Sequence, residues 1–79
     1  MEDTMDYTMR TLQPGERGTV TEIRLEGELK KRMEEFGLLP DTEVECVGRS
    51  PLGDPASYRV RGVILALRAR DAGRILLRR

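Results

Sequence analysis

One cysteine, Cys46, and no histidine in 79 residues constrain this chain more than anything else in it. No intrachain disulfide is available, and the common zinc ligand sets cannot be assembled within one chain. The fold must therefore be held without a disulfide or a common zinc site, at a size that buries only about 60% of the unfolded surface. That implies one domain with a small core. The same absence removes histidine acid–base chemistry and Ser-His or Cys-His nucleophilic catalysis. Eight glycines fall singly at turn-like positions, none in a phosphate-binding or dinucleotide-binding spacing. The expectation is a non-enzyme.

Period and punctuation give the elements. Residues 1–8 are polar and aperiodic and are expected to be a disordered N-terminal extension, leaving 9–79 as the domain. Pro14-Gly15 marks a turn. Arg17 to Leu25 is rich in β-branched residues and reads as a strand, but Val20 lies on one face while Ile23 and Leu25 lie on the other, so a bulge or bend is expected between them. From Gly27 to Phe36 the period changes: Leu29, Met33 and Phe36 form one helical stripe. Gly37 is a natural left-handed helix cap, with Leu38 placed to fold back on the last turn. Thr42 to Arg49 alternates, with Val44 and Cys46 inward and Glu43 and Glu45 outward. Pro51 to Pro55 is a loop. Two further alternating runs meet at Arg61-Gly62, which suggests a tight hairpin. One helical turn at Arg70 to Gly73 and a short strand at Ile75 to Leu77 close the chain. The fold class is mainly β with one inserted helix, five short strands forming a small β-barrel.

The net charge is zero, yet it is unevenly spread. Up to Glu45 there are 12 acids against six bases, and from Cys46 onward two acids against eight arginines. Such asymmetry marks an interaction surface or a self-complementary fold. Cys46, inward on its strand, reads as a buried small hydrophobe. Glu43 and Glu45, on one strand face, are weak metal candidates for a hard or intermediate cation, and further ligands would have to converge from elsewhere. The C-terminal arginines lack a stacking platform, the aromatics being only Tyr7, Phe36 and Tyr58, and the pI is about 6.3, so no nucleic acid is expected. Leu52, apolar in a loop between two prolines, either covers the barrel end or contacts a partner. No apolar run approaches the ~20 residues of a membrane span, and there is no secretory leader, so a cytoplasmic protein with a reduced thiol is expected.

Leu12-Gln13-Pro14-Gly15-Glu16-Arg17-Gly18-Thr19-Val20 resembles the opening L-x-P-G-x-x-G-x-V of the ferrous iron transport protein A (FeoA) family. Phe36-Gly37-Leu38-Leu39-Pro40 and Val44 resemble its G-L-x-P-G-x-x-V segment, Pro51 to Pro55 its loop, and Val60-Arg61-Gly62 with Leu65 to Arg68 its hairpin. Asp71-Ala72 and Ile75 are similar to the A-x-x-I ending. Asp41 stands where the family has glycine, and a turn geometry remains open to it. The resemblance implies an SH3-like small β-barrel and a non-enzymatic cytosolic accessory of bacterial ferrous iron uptake. It also implies a partner, the membrane permease FeoB with its cytosolic GTP-binding domain, and contact with the membrane only through that partner. On this reading the partner-binding candidates are Leu52, Gly53 and Asp54 in the loop, Lys30, Lys31 and Glu34 on the helix, and Arg59 and Arg61 on the hairpin. No cofactor is expected. A direct Fe(II)-binding chaperone with weak divalent metal binding through carboxylates is the alternative, with weak nucleic-acid binding through the arginines a third. An open strand edge leaves a homo-oligomer possible.

Overall fold

The computed structural model describes residues 7–79. After a 3-10 turn at Met9–Thr11 come strand β1 (Arg17–Ile23), helix α1 (Gly27–Glu35), β2 (Glu43–Arg49), β3 (Ala56–Val60), β4 (Val63–Leu67), the single turn α2 (Ala69–Ala72) and β5 (Ile75–Arg78). The strands form one antiparallel sheet in the order β4-β3-β2-β1-β5. This is the mainly β, SH3-like barrel with one inserted helix that the sequence implies.

Alternation decides which face is buried. Val44, Cys46, Tyr58, Val60, Leu65 and Leu67 turn inward to meet Val20, Ile75 and Leu77. Gly18 has to be small, because a Cβ there would lie 2.9 Å from Leu77 Cδ1 and 3.2 Å from its Cβ. The faces of β1 are reconciled by the expected irregularity: the β1–β5 register shifts between Val20 and Glu22. Thr21 is the extra residue, and its hydroxyl donates to the Leu76 carbonyl at 3.2 Å. Beyond the bulge Leu25 reaches the core, 3% exposed.

Helix α1 uses its apolar stripe only in part. Met33 is buried and Leu29 packs against the core, but Phe36 is 40% exposed. The reason lies in how the helix ends. Gly37 takes φ 99°, its N–H donates to the Glu34 carbonyl at 2.9 Å, and the Leu38 N–H donates to the Met33 carbonyl at 2.9 Å. These are the paired bonds of a Schellman cap, which reverses the chain and gives the core position to Leu38. Leu38 is fully buried.

Residues 1–6 of the expected extension lie outside the described residues. Tyr7 and Thr8, assigned to it by the sequence, are tied to the sheet instead. Thr8 bridges Leu76, and the Leu77 N–H donates to the Tyr7 carbonyl at 2.7 Å. The outer side of β5 is thereby occupied. Among the described residues hydrogen bonding does not close the wall between β5 and β4, so β4 is an edge there.

Candidate functional site

At the tip of the β3–β4 hairpin Arg61 and Gly62 have φ 50° and 83°. Two central residues with positive φ between paired Val60 and Val63 make a type I′ turn, whose twist matches that of the strands. Glycine and asparagine suit its first position, and an arginine there is held in a conformation that L residues disfavour. The Arg61 stem crosses to the helix cap and packs on Gly37, where any Cβ would collide with its Cδ. Asp41, at φ 74°, adopts the turn geometry that a glycine would supply, and its N–H donates to the Val20 carbonyl at 2.7 Å.

Asp41, Arg61 and Gly62 border an open groove of about 380 Å³ on the outer face of β2 and β3. The register explains its charge. Arg17 pairs with Glu45, Glu45 with Arg59, and Arg59 with Ile64, so one row of side chains alternates in sign across the sheet. Arg59 Nη1 lies 2.9 Å from Glu45 Oε1. Asp41, Glu43, Glu45, Arg59 and Arg61 all line the groove. Four sequence candidates, Glu43, Glu45, Arg59 and Arg61, thus come together in one place. Glu45 meets the Arg59 guanidinium there, and among the described residues no group of three or more Asp, Glu or Cys side chains is arranged to hold a metal ion.

The loop candidates lie elsewhere. Leu52 is 94% exposed, which settles its position: it points into solvent and covers nothing. The loop beneath it is tied down. The Ser50 N–H donates to the Pro55 carbonyl at 3.0 Å, and the Gly53 N–H to the Ser50 carbonyl at 2.7 Å. Asp54 Oδ1 accepts the Ala69 N–H at 2.9 Å, fastening the loop to the start of α2. Asp54 also lines a second open pocket of about 300 Å³ with Arg68 and Arg70. Lys30, Lys31 and Glu34 are exposed on α1 and line neither pocket.

Arg49 went unnoticed in the sequence. Its guanidinium donates to the carbonyls of Leu12 at 2.6 Å, Arg10 at 3.0 Å and Gly53 at 3.5 Å, so one side chain ties the N-terminal turn to the Leu52 loop. Carbonyls so distant in sequence leave no local pattern. Tyr7 was missed similarly; Arg79 stacks over its ring, 4.7 Å from the centroid. Cys46 is buried and free as expected. Burial pushes the neighbouring Tyr58 phenol above its ordinary range, with Cys46 adding to the shift and Arg49 opposing it.

Fold and surface together define a small SH3-like domain that offers a charged groove and an anchored loop with an apolar tip. Residues 7–79 match the FeoA domain family, and the chain belongs to that family. Family membership implies a role in ferrous iron transport, in a family of small accessory proteins. The FeoA protein of Chlorobium tepidum is 26% identical, with a TM-score of 0.86 over 91% of this chain and 69% of that one. Iron(II) transport protein A of Clostridium thermocellum is 29% identical, with a TM-score of 0.83 over 91% of this chain and 44% of that one. A zinc complex of Stenotrophomonas maltophilia FeoA, described as a procaryotic SH3 domain protein, is 25% identical, with a TM-score of 0.74 over 90% of this chain and 88% of that one. A manganese-dependent transcriptional repressor at 17% identity and a TM-score of 0.76 shares the fold. No curated protein sequence matches the chain. No helix among the described residues is long and apolar enough to cross a membrane.

Proposed function

We propose that this protein is a cytoplasmic accessory of ferrous iron uptake that docks on the cytosolic GTPase domain of the permease FeoB. The observation that carries this reading is Leu52, an apolar side chain 94% exposed on a loop anchored by Arg49 and by Asp54. A loop already fixed in place loses little conformational freedom on binding. Burying its leucine in a partner would contribute about 2 kcal/mol. The charged groove, with Arg59 and Arg61 at its rim, would set orientation and encounter rate more than affinity. Direct carriage of Fe(II) by Glu43 and Glu45 has less support. Glu45 is bonded to Arg59, and the Arg61 guanidinium borders the same groove, adding positive charge where a cation would have to sit.

Co-purification tests the two readings side by side. The chain should be retained by immobilised FeoB cytosolic domain, and Leu52→Asp should abolish retention while preserving the fold. Anaerobic calorimetry with Fe(II) should show no stoichiometric site sensitive to Glu43→Gln or Glu45→Gln. A site that both substitutions weaken would favour the carrier instead.

A further inference from the structure

Among the described residues strand β4 is an open edge of the sheet. In a two-residue hairpin the residues flanking the turn form a hydrogen-bonded pair, and bonded and non-bonded pairs then alternate. With Val60 opposite Val63, Arg59 opposite Ile64, Tyr58 opposite Leu65 and Ser57 opposite Ala66, the groups of Val63, Leu65 and Leu67 bond to β3. Those of Ile64 and Ala66 point outward. No hydrogen bond from another element reaches them among the described residues. Ile64 is itself 52% exposed, and Val63 38%. A free edge with apolar side chains is a template for another extended chain.

The charges select among occupants. Arg61 stands at the turn, and Arg68 and Arg70 follow the far end of the strand. None of the three is in an ion pair among the described residues. A second copy paired antiparallel along this edge would set Arg61 of each chain near Arg68 and Arg70 of the other, and a parallel copy would set like against like. Like charges across strands are destabilising, and basic residues on an edge guard against self-association. Acidic residues at the ends of an incoming strand turn the same arginines into attraction. Val63 and Ile64 favour apolar side chains between them.

We propose that the β4 edge binds an extended segment of a partner protein by strand addition, the segment carrying alternating apolar residues with acids at both ends, about 24 Å apart at ~3.4 Å per residue. This rests on the docking function above and names the surface and chemistry of one of its contacts. The backbone of Ile64 and Ala66 supplies affinity, and the three arginines supply selection.

The test uses the full chain and a synthetic peptide of about eight residues, so that glutamates at its ends stand about 24 Å apart, with alternating valine and threonine between. A second peptide has lysines for the glutamates. The glutamate peptide should bind saturably and slow amide hydrogen exchange at Ile64 and Ala66, and the lysine peptide should bind at least about tenfold more weakly. Ala66→Pro removes one outward N–H while sparing the bonds to β3. Ile64→Lys leaves the backbone intact and adds charge. Each should weaken the glutamate peptide about tenfold, with the amide spectrum reporting retention of the fold. Equal binding of both peptides, no protection at Ile64 and Ala66, or a dimer that Ile64→Lys dissolves would each overturn the proposal. If the glutamate peptide binds but the FeoB domain does not, the docking function fails and the edge stands. If that domain binds equally to wild type, Ala66→Pro and Ile64→Lys, the edge fails and docking stands.

Discussion

Arg61 carries a conformational cost with no compensating ion pair among the described residues: φ is 50°, and its stem lies over Gly37. Strain held at an exposed position points to use there. Arg61→Asn, which suits the first position of a type I′ turn, should raise stability by about 0.5–1 kcal/mol in chemical denaturation, while weakening binding to the partner. Its neighbour behaves oppositely. Gly37→Ala forces a side chain into φ 99° and against Arg61, so a loss of about 1–2 kcal/mol is expected, measured by the same unfolding curve. Tyr58 makes a pH prediction. Its phenol is raised by burial, so the folded state keeps its proton where the unfolded chain, ionising near pH 10, releases it. The stabilising effect is complete below that pH and is lost as pH rises toward the folded value. Tyr58→Phe should flatten the alkaline fall in stability, and an unchanged slope would show that Tyr58 does not cause it. At this scale the sequence was readable where a residue type has one conformational use. Asp41 in a turn and Gly37 at a helix end are cases, whereas a positive φ at Arg61 follows only from its place in the hairpin.

At the scale of elements, periodicity carried most of the information. Alternation placed β2, β3 and β4, and the broken alternation of β1 called for the bulge found between Val20 and Glu22. The stripe of α1 overreached at Phe36, because a spacing pattern continues through a cap that the backbone does not. Long-range fastenings left no trace in the sequence. Pairing of Tyr7 and Thr8 with β5 depends on where two distant segments meet, and so does the reach of Arg49 to the N-terminal turn. Arg49→Lys tests that fastening. Lysine has one point of donation where arginine has a fork, and a loss of about 1–3 kcal/mol is expected. Faster hydrogen exchange should appear at the Gly53 and Leu12 segments before the rest of the sheet, and uniform change across the chain would contradict a local role.

Over the whole molecule, the acidic first half and basic second half meet across the sheet. Glu45 pairs with Arg59 at 2.9 Å, Asp41 with Arg78 at 3.5 Å and Glu16 with Arg79 at 3.9 Å. Part of the asymmetry is thus self-complementary, though such exposed pairs add little stability. Among the described residues Arg61 at the β3–β4 turn and Arg68 and Arg70 beyond the end of β4 are in no ion pair, and Leu52 stands exposed at its loop tip. Titration calorimetry of the purified chain into the FeoB cytosolic domain, with wild type and Leu52→Asp compared at equal stability, tests this account most directly. It predicts a saturable complex for wild type and an affinity about thirtyfold lower for the variant, the equivalent of about 2 kcal/mol of lost leucine burial. No heat of binding for wild type, or equal affinity for a folded Leu52→Asp, would contradict it.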